Sequence, residues 1–134
     1  MYYVDAYVDG ACSGNPGPMG IGVLLIDKTT GKEKEYSQSL GGGTNNIAEL
    51  MAAIMALRMC KNPKETEITI HTDSQLTYHI IRNEWNPKKN LDLVRELNLL
   101  KKQFAKVEAV KVKGHSTDEY NNRVDRLAVN AIKK

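Results

Sequence analysis

No apolar run in this chain approaches the roughly 20 residues needed to span a bilayer. Met1 leads straight into the alternating stretch YYVDAYV, not into a basic, then apolar, then small-residue leader. Neither a membrane protein nor a secreted one is expected. Cysteine is scarce as well. Cys12 and Cys60 are the only two and lack metal-ligand spacing, so a reduced, cytoplasmic protein is the simplest expectation. Internal repeats, low-complexity tracts and linkers are also missing, so residues 1–134 are expected to form one domain.

What is present is 41% hydrophobic and 26% charged residues, the balance of a soluble globular chain. The net charge of +3 is unevenly spread: residues 1–81 carry 6 basic and 9 acidic residues, residues 82–134 carry 13 and 7. A basic second half suits a polyanionic partner, or is an ordinary solvated surface.

Periodicity predicts strands over 2–10, 21–27 and 32–40, the last two joined by a turn around Gly31. The glycines at 41–43 read as a loop leading to a helix over 47–60. A strand over 66–73 follows, then a helix over 74–84 that Pro87 closes. A helix over 91–104, a strand over 107–113 and a helix over 121–133 complete the chain. A three-strand antiparallel meander followed by alternating helices and strands implies an α/β fold, with helices on the faces of a mixed five-stranded sheet.

Four carboxylates stand at unusual places in this order. Asp9 ends the first strand on the face opposite Val4, Ala6 and Val8, unless Asp9-Gly10 is merely a turn. Glu49 shares a helical stripe with Ala52, Ala53 and Ala56, and small residues let a helix lie close on a sheet. The alternative is an Asn46-x-x-Glu49 capping box. Asp73 ends the fourth strand, where it or Ser74 would cap the next helix. Asp125 borders the apolar face of the last helix, or is simply solvated. If the first and fourth strands are neighbours, Asp9 and Asp73 meet, and Glu49 and Asp125 can reach the same spot. Carboxylates so placed cannot all ionise without cations, and oxygen donors select hard ions such as Mg²⁺ or Mn²⁺. Two such ions would suit phosphodiester hydrolysis.

The stretches YVDGACSGNPGPMGIG, TNNIAELMAAIMAL, IHTDSQ and VKGHSTDEYNNRVDRLA together resemble the type 1 ribonuclease H family, in order and spacing, over essentially the whole chain. The resemblance implies an RNase H-like catalytic domain over 1–134. Its activity would be a hydrolase's: a metal-dependent endonuclease cutting the RNA strand of RNA–DNA hybrids, with two Mg²⁺ ions or Mn²⁺ in substitution, and with little sequence specificity. By position, Asp9, Glu49, Asp73 and Asp125 match the family's metal-binding carboxylates, and His115 the histidine that assists proton transfer or product release. Gly10, Ala11, Cys12, Asn15, Thr44, Asn45, Asn46, Gln75 and Asn121 match positions that contact the hybrid, with Asn15 and Thr44 at a phosphate of the DNA strand. The loop over 8–22 has no Walker lysine, so it is no nucleotide cradle. Its prolines and later glycines are expected only to turn the chain into the second strand.

Three departures from the family stand out. Asn122 replaces a common acidic residue, and Thr117 a common glycine. Between Ile80 and Leu91 the basic handle of bacterial relatives is shortened or absent. Trp85, Lys88 and Lys89 would offer a small stacking and phosphate-binding surface there, unless Trp85 packs in the core. A monomer is expected, with no membrane contact and room for a polymerase or other replication partner in trans. Two competing readings are a DNA-processing nuclease or strand-transfer enzyme of the same fold, and a hybrid-binding module without chemistry.

Overall fold

The computed structural model describes residues 1–113 and 118–132. Three strands come first: β1 (Tyr2–Cys12), β2 (Gly17–Asp27) and β3 (Glu33–Gly43). Then follow α1 (Asn45–Arg58), a 3₁₀ turn at Pro63–Glu65, β4 (Thr66–Thr72), α2 (Gln75–Ile81), α3 (Leu91–Lys101), β5 (Lys106–Lys111) and α4 (Glu119–Ala131). The sheet order is β3-β2-β1-β4-β5. β1–β2 and β2–β3 are antiparallel, whereas β1–β4 and β4–β5 are parallel. The expected mixed sheet, meander first, is what forms.

Alternation along the strands sorts side chains between two helical layers. Ala6 and Val8 point toward α1, which lies across β1 and β2 with α3 behind it. Ala52, Ala53 and Ala56 are fully buried, so α1 sits close on the sheet as its small-residue stripe predicts. Leu50, Ile54, Ile68, Ile70, Ile80 and Leu97 complete this core. The opposite face of β1 and β2 is covered by α4.

Several boundaries differ from the sequence expectation. β2 begins at Gly17, not Ile21, and β3 runs through the glycines to Gly43. Those glycines are therefore strand residues and not a turn or loop. Their smallness is required by the neighbours: a Cβ at Gly20 would overlap the Ala128 carbonyl, and one at Gly22 the Val124 carbonyl of α4. A register shift opposite Met19 and Gly20 leaves Leu40 without a ladder partner and puts Gly41 at φ +79°. α2 stops at Ile81 and not before Pro87, because Asn83 turns left-handed (φ 61°) and its N–H closes on the Ile80 carbonyl. α3 likewise stops at Lys101, leaving Phe104 buried in the turn beyond it.

Gly22→Ala is expected to destabilise the protein by about 1–3 kcal/mol, since the helix backbone must retreat. A lowered melting temperature with the β-sheet signal intact checks this. An unchanged melt would mean that α4 is not seated where the glycines place it.

Candidate active site

The parallel ladder pairs Tyr7 with His71, and the same offset carried on by two residues sets Asp9 beside Asp73. β4 ends just before Asp73 because Ser74 caps α2: its Oγ accepts the Thr77 N–H at 3.1 Å, and Thr72 Oγ1 accepts the Ser74 N–H at 3.1 Å. The capping role falls to Ser74 and leaves the Asp73 carboxylate for the cleft. The capping-box alternative for Glu49 also fails. Thr44 caps α1, its Oγ1 accepting the Ile47 N–H at 3.3 Å, and Glu49 lies a turn further in.

Glu49 reaches β1 because α1 makes backbone contact there. A Cβ on Gly10 would overlap Ala48 and the Glu49 nitrogen, so only glycine admits the helix. The Gly10 N–H donates to Glu49 Oε1 in a short hydrogen bond and to Asp9 Oδ1 at 2.9 Å. Asp9, Glu49 and Asp73 then present carboxylate oxygens all within 4.8 Å of one another. Asp125, exposed on α4, lines the same cleft of about 390 Å³ without joining that tight trio.

Electrostatics follow from this crowding. Burial, with the charges of Asp73 and Asp125, outweighs a favourable hydrogen bond from Glu49 and pushes the Asp9 carboxyl up to about 7. Asp9 is only 6% exposed. Burial, then Asp9 and Asp73, holds Glu49 well above the ordinary carboxylate range. Acids arranged this way keep protons unless a cation takes their place. The all-oxygen donor set fits a hard divalent ion.

The other expected residues divide by position. Asn45, Asn46 and Gln75 line the cleft beside Ser74. Asn15 Oδ1 accepts the Asn45 N–H at 3.1 Å, which ties the loop after β1 to the start of α1 and brings Asn15 beside Thr44. Ala11 is half-buried at the end of β1. The Cys12 thiol donates to the carbonyls of Gly17 and Gly43, both at 3.4 Å, so it knits the three strand ends together. Asn121 is buried beneath the first turn of α4 and does not line the cleft. His115 and Thr117 lie outside the described residues.

Trp85 is not a core residue: it is 46% exposed and stacked on His79 at 4.1 Å. Glu84 holds that histidine through Nδ1 at 2.8 Å and Arg82 Nε at 3.1 Å. Lys88 and Lys89 are exposed just beyond.

One structural support escaped the sequence reading. His71 Nε2 lies 3.0 Å from Asp5 Oδ1, and its ring stacks flat on Tyr7 at 4.2 Å. Tyr7 in turn meets Tyr120 of α4 at 5.0 Å. Asp5, Tyr7 and Asp9 share one face of β1, so this stack sits directly beneath the carboxylates. The register linking Tyr7 to His71 would have revealed it.

Comparison with known proteins gives a consistent answer. The family model described as RNase H matches residues 2–133. A protein of Acetivibrio thermocellus named Ribonuclease H is 42% identical over 148 residues, covering 100% of this chain and 97% of the relative. One of Caldanaerobacter subterraneus with the same name is 40% identical, covering 98% of this chain and 92% of the relative. Among solved structures, RNase H1 of the archaeon Halobacterium salinarum superposes with a TM-score of 0.84 at 30% identity, over 96% of each chain. LC11-RNase H1, solved in complex with an RNA/DNA hybrid, gives 0.80 at 27% identity, also over 96% of each.

Proposed function

This chain belongs to the ribonuclease H family, type 1, and from that premise we propose that its acidic cleft hydrolyses the RNA strand of an RNA–DNA hybrid. It is a metal-dependent endoribonuclease. The observation that carries this reading is the trio Asp9, Glu49 and Asp73, whose carboxylate oxygens are brought within 4.8 Å of one another from β1, α1 and the turn just after β4.

In this reading Asp9, Glu49, Asp73 and Asp125 hold two Mg²⁺ ions, with Mn²⁺ as a substitute. The chemistry contributed there by such ions is activation of water and polarisation of the scissile phosphodiester. Glu49 is oriented by the Gly10 N–H, and Asp9 is shielded from bulk water. Asn45, Asn46 and Gln75, which line the cleft, donate to the hybrid's backbone and 2′-hydroxyls. Those groups distinguish RNA from DNA without reading bases. The loop tie between Asn15 and Asn45 supports a DNA-strand phosphate contact at Thr44. His115 is assigned proton transfer or product release, and Asn121 an orienting role behind the site. The domain works as a monomer in the cytoplasm, a compartment that suits its two free thiols.

Cleavage of a labelled hybrid, with single-stranded RNA, duplex RNA and duplex DNA as controls, tests the reading. Cutting of the RNA strand only with added Mg²⁺ or Mn²⁺ is expected. Cutting of the DNA strand, or metal-independent cutting, would overturn it.

Trp85, Lys88 and Lys89 form a small exposed surface at the place where the family resemblance leads one to expect a basic handle. With two or three phosphates neutralised there and around the cleft, kcat/KM should fall about 10- to 40-fold between 50 and 200 mM salt. A salt-independent rate would show that this surface does not hold the hybrid.

A further inference from the structure

Helix α4 brings Asp125 to the cleft, and the seating of that helix on β1 decides how this carboxylate meets Asp9. The two do meet: a hydrogen bond between their side chains and the Asp125 charge both help to raise the Asp9 carboxyl. The middle of α4 is held by a seat on β2. Gly22 pairs with Asp9 across the β1–β2 ladder, and a Cβ there would overlap the Val124 carbonyl, so the helix backbone rests on the sheet one residue before Asp125. Around that seat, Arg123 pairs with Glu33 and Glu35 of β3, and Ser37 Oγ donates to the Leu127 carbonyl at 3.0 Å. These contacts fix the height of the helix above the sheet. Its direction depends also on its first turn.

There Tyr120 lies against Tyr7, with ring centroids 5.0 Å apart. Tyr7 is itself a fixed platform. It stacks on His71 at 4.2 Å with 10° between the planes, and His71 Nε2 is 3.0 Å from Asp5 Oδ1. Burial pushes the Tyr7 phenol up to about 12, so the platform stays uncharged through the neutral range. The spacing of the two elements matches. Tyr7 precedes Asp9 by two residues on the same face of β1, about 7 Å along the strand. Tyr120 precedes Asp125 by five residues, about 7.5 Å of helical rise. Tyr120 on Tyr7 and Asp125 on Asp9 are therefore successive rungs between the same strand and the same helix. Tyr120 is 37% exposed, so its ring is not there to fill the core.

We propose that Tyr120 is a positioning residue for metal uptake: docked on the Tyr7–His71 stack, it aims the first turn of α4 and so holds Asp125 where it shares a divalent ion with Asp9. In the hydrolytic reading, on which this assignment rests, those two carboxylates are ligands of such ions. Tyr120 lends no atom to the ion or to the hybrid and acts through Asp125 alone. Groups that orient metal ligands from behind typically cost about 10- to 100-fold in metal affinity or activity when removed. An aromatic contact half open to water belongs at the lower end of that range.

The test is a calorimetric titration of the full chain with Mn²⁺ in the absence of substrate, set beside hybrid cleavage over a range of Mn²⁺ concentrations. Tyr120→Ala should weaken Mn²⁺ binding about 10-fold and raise the half-saturating metal concentration for cleavage by the same factor. At saturating metal its kcat should stay within about 3-fold of the parent. Tyr120→Phe keeps the ring contact and should restore the affinity to within about 2-fold. Val129→Ala, at a residue 50% exposed near the far end of the same helix, should leave it unchanged. Asp125→Asn supplies the reference: the double variant with Tyr120→Ala should bind Mn²⁺ no more weakly than Asp125→Asn alone, because the two residues act as one unit. Parent-like affinity in Tyr120→Ala, additive losses in the double variant, no rescue by phenylalanine, or an equal loss in Val129→Ala overturns the proposal. A parent that takes up no Mn²⁺ brings down the hydrolytic reading and this assignment together, whereas normal uptake by both the parent and Tyr120→Ala brings down this assignment alone.

Discussion

Asp73→Asn is expected to lower hybrid cleavage about 1,000-fold or more, with the fold intact. The magnitude is that of deleting one member of a catalytic unit whose parts act together. The carboxylate shares a 4.8 Å cluster with Asp9 and Glu49, and the isosteric amide removes one ligand charge from it. The structural cost is small, because the cap of α2 is the hydroxyl of Ser74. Ser74→Ala supplies the contrast: it should cost about 1 kcal/mol of stability and far less activity. Steady-state rates on a labelled hybrid, set beside the melting temperatures of both variants, separate the roles. Near-normal rates for Asp73→Asn would return that residue to a merely structural part.

The second large effect concerns Asp9 in protein stripped of divalent ions. Its folded-state pKa is about 7 against an ordinary value of 3.8, chiefly through burial. Between those values the folded protein keeps a proton that the unfolded chain releases, so stability falls as pH rises from about 4 to 7 and stays low above. At about 1.4 kcal/mol per unit the loss is on the order of 4 kcal/mol, shared with Glu49, whose carboxyl is raised in the same crowd. Asp9→Asn cannot charge. In EDTA at pH 8 it should melt well above the parent, and the difference should shrink toward pH 5. Saturating Mg²⁺ should close the gap from the other side, by about 2.7 kcal/mol at 100 times its Kd, while cleavage by the variant stays abolished. Thermal melts of the parent that coincide at pH 5 and pH 8 without metal would refute the crowding.

The carboxylate positions were legible in the sequence because each lies where a regular pattern makes a polar residue conspicuous: a strand end, an alanine stripe, a helix border. Their convergence needed only the assumption that β1 and β4 are neighbours. The glycines at 17–22 and 41–43 were not legible. Locally a glycine run reads as a turn, and the reason for Gly20 and Gly22 is the backbone of α4, more than 100 residues away in the chain. The end of α2 was misplaced for a related reason. Pro87 is a visible stop signal, but the left-handed turn at Asn83 acts earlier. It is reinforced by Lys101 Nζ, which donates to the Ile80 carbonyl at 3.2 Å and to Asn83 Oδ1 at 2.8 Å. The Asp5–His71–Tyr7–Tyr120 stack was hidden because its members come from three elements and carry no motif.

The pairing of β1 with β4 has a kinetic consequence. Asp9 and Asp73 become neighbours only when strands separated by a meander and a helix dock in parallel, a non-local event that is intrinsically slow. No local fragment of the chain holds two of the three clustered acids, so partly folded forms cannot assemble the site. On refolding from denaturant, recovery of hydrolysis should therefore lag behind helix formation and keep time with closure of the central strand pair.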